Sequence, residues 1–180
     1  QNITWSGSAG YSEAVERRVL HPDQPALTAS NTKTFVSATI LRLVELRKLS
    51  IEDPIKEFLT NKTRLLFQEK GYDLDAITIK HLLSHTSGIE NFANQYYIDF
   101  INSNKKYRWT RDEQLSLTLK AGPPLGPPES VFSYSDANYL LLTEVIEHLT
   151  GQPFYTAMRN LLKYNDMNIK NTWFPTLEER

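Results

Sequence analysis

Ser30 and Lys33 stand three residues apart in "TASNTKTFVSATILRLVELRKLS", where a long apolar pattern begins. Residues three apart in a helix face the same way, so a hydroxyl and an amine at this spacing can meet, on a stripe that continues through Ser37, Leu41 and Val44. A serine is a weak nucleophile until a base takes its proton, and a lysine becomes such a base when an apolar pocket lowers its pKa. The run that begins at Phe35 is expected to supply that pocket. Free N–H groups at the helix start place partial positive charge beside Ser30, suited to a developing oxyanion. The chemistry would be acyl transfer.

The same residues have a plainer reading, in which Ser30 is an N-cap and Lys33 a surface lysine. The pattern recurs at Ser103 and Lys106, in the polar stretch "INSNKKYR", where it reads as a solvated loop. Locally, both readings of Ser30 stand.

Other chemistries are poorly served. With no cysteine the chain has neither disulfides nor thiolate zinc sites. "SGSAG" misses a Gly-x-Ser-x-Gly elbow at its first position, and there is no His-Glu-x-x-His. His85, in "SHTSG", invites a Ser–His role, but Gly88 accounts for the turn there; His148 reads as a complement to a helix C-terminus, and His21 and His81 show no partner. Neither a metal nor a cofactor is expected.

A balance of 20 basic and 21 acidic residues leaves a net charge of -1 and no electrostatic footprint for nucleic acid or an anionic membrane. No apolar run reaches the roughly 18 residues of a spanning helix. The start, "QNITWSGSAG", lacks a basic segment followed by an apolar one, so any export signal has been removed or never existed. Asn2-Ile3-Thr4 and Asn61-Lys62-Thr63 match the glycosylation pattern, which recurs by chance. The partner is expected to be a small molecule or another protein.

The elements that must position these residues read as mostly helical, within one compact domain of 180 residues. "NITWSGSAG" and "PALTA" look like short strands ahead of Ser30. The apolar pattern from Lys33 to Leu49 covers most of a helix circumference, which predicts a helix buried almost all round and ended by "SIEDPI". "TIKHLLSHTSG" predicts a short helix with Thr78 as N-cap and Gly88 in the turn after it, and "RDEQLSLTLKAG" another, followed by the stiff loop "PPLGPPE". "SDANYLLLTEVIEHLTG" predicts a helix capped by Ser135 or Asp136 and stopped at Gly151; "PFYTAMRNLLKY" adds one with Pro153 in its first turn. Phe92, Tyr96, Tyr97 and Phe100 have the helical spacing of core residues.

Three of these stretches, "TASNTKTFVSATILRLVELRKLSIEDPI", "TIKHLLSHTSGI" and "FSYSDANYLLLTEVIEHLTGQPF", occur in the order and spacing of one family. From about Trp5 to Phe174 the chain resembles the serine β-lactamases and penicillin-binding proteins, in the branch with class C β-lactamases, D-alanyl-D-alanine carboxypeptidases and related esterases. The resemblance implies an α+β fold, a mostly helical subdomain (residues 30–175) beside an antiparallel sheet to which residues 1–29 belong. It implies that Ser30 is the acylated nucleophile, that Lys33 assists its deprotonation, and that Tyr134 relays a proton to the leaving group. Asp136 takes the substrate-binding place of the asparagine in the usual Tyr-x-Asn, and a carboxylate only accepts hydrogen bonds where an amide also donates.

The family's third motif, Lys-Thr-Gly or His-x-Gly on a C-terminal strand, has no counterpart after Trp173. The expectation is therefore a partial chain whose C-terminal strands are absent, and whose site a missing C-terminal segment or a second chain completes. The substrates implied are cell-wall D-alanyl peptides, β-lactams or carboxylic esters, met in the bacterial periplasm or outside the cell. A non-catalytic member that binds peptidoglycan or regulates is the alternative.

Overall fold

The computed structural model describes residues 3–13 and 15–178, in two compact units, Gln1–Ser30 and Asn31–Arg180. In the first, β1 (Tyr11–Glu13) pairs antiparallel with β2 (Arg18–Val19), Tyr11 opposite Val19 and Glu13 opposite Arg18, with an irregular register between. Leu20 N–H donates to Gly10 O at 3.1 Å and the Ser8 hydroxyl to Leu20 O at 2.6 Å, extending the hairpin base.

The strands expected in "NITWSGSAG" and "PALTA" are not there: residues 3–9 and 25–28 run without regular structure, and Asn2 lies outside the described residues. A strand exists through its paired neighbour. Composition pointed to β formers such as Ile3 and Trp5, whereas the pairing was decided by the tight reversal near Arg17, whose φ is 49°.

The second unit is helical. Its spine is α6 (Asp136–Thr150), which packs against α1 (Thr32–Glu45), α3 (Ile79–Leu83), α5 (Arg111–Ala121) and α7 (Phe154–Leu161). Leu141, Leu142, Val145 and Ile146 of α6 are fully buried and meet Val36, Ile40 and Leu43 of α1 and Ile79 and Leu82 of α3 in one core. Each such side chain contributes about 1.5–3 kcal/mol through its removal from water. α2 (Asn61–Glu69) and α4 (Gln95–Ser103) complete the unit.

α1 departs from expectation in two ways. Leu41 is exposed while Val36, Thr39, Ile40 and Leu43 are buried, so the helix buries one face rather than its whole circumference. It also stops earlier, at Glu45, because Arg47 turns left-handed (φ 56°) and Lys48 N–H folds back onto Leu43 O at 2.9 Å. "SIEDPI" serves another purpose, bonding to the segment before α3: Ile55 N–H donates to Ile77 O at 2.9 Å and Ile79 N–H to Asp53 O at 3.1 Å.

Polar groups tie the elements together. Glu144 of α6 accepts from Thr60 N–H at 2.6 Å and from the Thr63 hydroxyl at 3.0 Å, fixing the start of α2. Glu147 accepts from Arg111 of α5 at 2.5 Å and from Phe154 N–H at 3.1 Å, so one carboxylate joins three helices. His81, expected without a partner, accepts Thr78 N–H on Nδ1 at 3.0 Å and faces Glu129 at 3.3 Å from Nε2. The aromatic stripe is divided: Phe92 is buried, Tyr97 and Phe100 are half-buried, and Tyr96 is exposed.

Candidate active site

Ser30 is exposed in a 3-10 turn, Ala29–Asn31, entered through the left-handed Ala29 (φ 46°). Asn31, not Ser30, holds the N-cap position of α1, and its side chain makes no cap bond. The capping reading is thereby corrected in position: the N-cap stands one residue after Ser30.

Lys33 lies in the first turn of α1, its side chain largely buried. Its ammonium forms an ion pair with the Asp136 carboxylate and a hydrogen bond with Tyr134. It also sits over two rings, 5.0 Å from the centroid of Tyr134 and 5.6 Å from that of Tyr139. Burial pushes the Lys33 pKa down, as expected, but the hydrogen bonds and negative charge of Asp136, together with Tyr134, outweigh it and the net shift is upward. The apolar surroundings expected to lower the lysine pKa are thus opposed by Asp136, a partner that the local pattern around Lys33 does not give.

Asp136 is the first residue of α6, and its N–H donates to Asn91 Oδ1 at 3.2 Å. The N-cap position belongs to Ser135, whose hydroxyl donates away from the helix to Glu90 O at 3.0 Å. Asp136 therefore owes its place to Lys33 rather than to capping.

Tyr134 precedes α6 and is partly exposed. Its ring lies against His85, centroids 4.5 Å apart at 33°. Tyr139 packs on His85 as well, at 5.2 Å and 35°. The Tyr139 hydroxyl donates its one proton to Leu83 O at 3.2 Å, so the contact with Ser37 at 2.9 Å is made by the serine as donor. Burial first, and then the nearby Lys33 charge, lower the His85 pKa below its ordinary value.

The structure thus brings Lys33, Tyr134 and Asp136 together, and adds His85, Tyr139 and Ser37, which the sequence reading left out of the site. Tyr139 had a signal: it lies three residues after Asp136, on the same face of α6. Ser37 lay on the stripe through Lys33. Among the described residues no group of three or more His, Asp or Glu could hold a metal ion, and no helix is long and apolar enough to cross a membrane.

The family model described as Beta-lactamase matches residues 2–179. The chain belongs to the beta-lactamase family. Among curated proteins, this family member is 27% identical over 153 residues to penicillin-binding protein 4* of Bacillus subtilis (strain 168), covering 85% of this chain and 31% of that one. The D-stereospecific amidohydrolase from Streptomyces sp. shares its fold with a TM-score of 0.69 at 27% identity, over 78% of this chain and 42% of the other. The D-amino acid amidase from Ochrobactrum anthropi SV3 aligns with a TM-score of 0.76 at 22% identity, over 94% of this chain and 43% of the amidase. The fold is that of the β-lactamase-like proteins, a mostly helical region with a small antiparallel sheet, and the chain spans less than half the length of each of these relatives.

Proposed function

We propose that this family member is a serine hydrolase acting by acyl transfer, with Ser30 as nucleophile. The observation that carries the reading is Lys33, held as a cation between Tyr134 and Asp136 in the first turn of the helix that follows Ser30. With Lys33 engaged by Asp136, the serine proton passes to the Tyr134 oxygen, beside which the ammonium lies. Ser30 Oγ bonds to the carbonyl carbon of an amide or ester, and the tetrahedral adduct collapses as the amine or alkoxide leaves with the proton from Tyr134. Water then attacks the acyl-serine, gives its proton back through Tyr134, and frees the acid. No cofactor or metal enters this scheme.

The substrate class is an amide of a D-amino acid, a cell-wall D-alanyl peptide or a β-lactam foremost, with carboxylic esters as the variant. The amidohydrolase and amidase names above support the first. Asp136 faces the substrate amide as an acceptor once Lys33 shares its charge with Tyr134. Further chain or a second chain supplies the cleft wall opposite α6, and the setting is the bacterial periplasm or exterior.

A second reading rests on the same ion pair: a lysine neutralised by Asp136 suits a binder of cell-wall peptide that does not turn over. The deciding experiment is the intact mass of the full-length protein before and after incubation with a penicillin, with peptide mapping of the adduct. A stable adduct on Ser30 establishes the nucleophile. Absence of any adduct, with both the penicillin and a chromogenic D-alanyl ester left unhydrolysed, overturns acyl transfer in favour of the binder.

A further inference from the structure

His85 grips the chain on both sides of Tyr134. Ser133 N–H donates to the His85 carbonyl oxygen at 2.9 Å, and Ser135 N–H donates to His85 Nδ1 at 3.2 Å. Between these bonds the imidazole covers one face of the Tyr134 ring, while the edge of Phe132 meets it at 6.3 Å. The His85 backbone is itself left-handed (φ 58°), a conformation that residues other than glycine seldom adopt. The same turn continues the arrangement, with Glu129 N–H on Thr86 O at 2.8 Å and Leu125 N–H on Gly88 O at 2.9 Å.

The proton on the imidazole can be placed. Asn138 is buried and accepts the Ser87 hydroxyl on Oδ1 at 2.6 Å, which turns its Nδ2 toward His85 Nδ1 at 3.2 Å. Two donors therefore face Nδ1, and the neutral ring carries its proton on Nε2. A second proton on Nδ1 would set a donor against two donors and a cation beside Lys33. The charged and titratable groups around the ring are Lys33 from α1 and Tyr134, Asp136 and Tyr139 from α6 and the segment before it.

We propose that His85 is a positioning residue for acyl transfer: it fixes the Tyr134 phenol by a main-chain bond on either side and by its own ring against the tyrosine ring. This deepens the reading in which Tyr134 moves the serine proton, and rests on it. His85 acts through Tyr134 and takes no proton from the nucleophile.

Two variants separate the parts of the grip. His85→Asn tolerates the left-handed backbone and offers an oxygen to Ser135 N–H but loses the ring; His85→Phe keeps a ring and loses the acceptor. In the full-length protein, penicillin acylation is followed by stopped flow, and the Cζ resonance of Tyr134 by 13C-tyrosine NMR, assigned with Tyr134→Phe. The expected result is an acylation rate constant lowered on the order of 10- to 100-fold in His85→Phe, with penicillin affinity within about twofold, and partial recovery in His85→Asn. The Tyr134 resonance shifts in both variants while that of buried Tyr72 stays in place. If His85→Phe also moves Tyr72, His85→Asn alone decides. An unmoved Tyr134 resonance together with an unchanged acylation rate overturns the proposal. If the wild type is never acylated, acyl transfer itself fails, and the resonance still reports whether His85 sets Tyr134.

Discussion

Asp136→Asn removes one charge from the pair with Lys33 while keeping the side-chain shape. Two unit charges about 4 Å apart attract by about 4 kcal/mol at an effective dielectric of about 20. The Lys33 and Asp136 side chains are 17% and 30% exposed, so solvent screens part of this attraction, and both groups gave up hydration to meet. A coupling of about 1–2 kcal/mol should survive, above the usual value for exposed pairs. Urea unfolding of wild type, Asp136→Asn, Lys33→Met and the double variant at neutral pH measures it as a double-mutant cycle. Because the folded Lys33 pKa is raised above 10.5, its stabilisation is complete below that value and fades as pH climbs through the folded pKa. The gap between wild type and Asp136→Asn should accordingly stay level from about pH 7 to 10 and close above it. The Lys33 titration, followed by NMR at Cε, should move down in Asp136→Asn. A coupling below about 0.3 kcal/mol, or an unmoved Lys33 titration, would refute the view that Asp136 is what holds the lysine charged.

Ser30→Ala should abolish the penicillin adduct while changing unfolding free energy by no more than about 0.5 kcal/mol, since Ser30 is exposed; mass spectrometry and urea melts read the two. Gly88→Ala should cost about 2 kcal/mol or more, because φ there is 74° and a Cβ would stand 2.3 Å from the Gly126 carbonyl oxygen. Glu144→Ala should cost about 1–3 kcal/mol by removing the acceptor of Thr60 N–H and of the buried Thr63 hydroxyl, and hydrogen exchange at the start of α2 should accelerate with it. His85 has a folded pKa below 6.5, so the unfolded chain binds the extra proton first and stability falls as pH drops below 6.5; His85→Asn should flatten that acid limb of the melting curve.

The helices were legible where caps and periodicity agree. Thr78 and Gly151 stand at the boundaries that their chemistry predicts, and Pro153, expected in the first turn, stands just ahead of it as the N-cap. The strands were not, because the preference of Ile3 or Trp5 for extended backbone says nothing about which partner is present to pair with, and the pairing formed at Tyr11 and Val19 instead. Of the site, Lys33 came from its spacing after Ser30, and Tyr134 and Asp136 from the family resemblance. Their electrostatics did not: the apolar run after Phe35 announces burial, which lowers a lysine pKa, but Asp136, 103 residues away, and Tyr134 raise it. His85 was read as a turn residue, which its backbone is; the use of its ring depends on Tyr134 and Tyr139 arriving from a distant part of the chain.

The bonds between residues 85–88 and the loop 125–133 are made by main-chain atoms on both sides. Their register therefore depends little on what side chains the loop carries, apart from Glu129, which meets Lys80 and His81, and Gly126, where a Cβ would stand 2.6 Å from the Ser130 hydroxyl oxygen. The outer part of that loop is a site where the surface can be rewritten, by drift or by grafting a new contact, while the phenol at its end stays where it is.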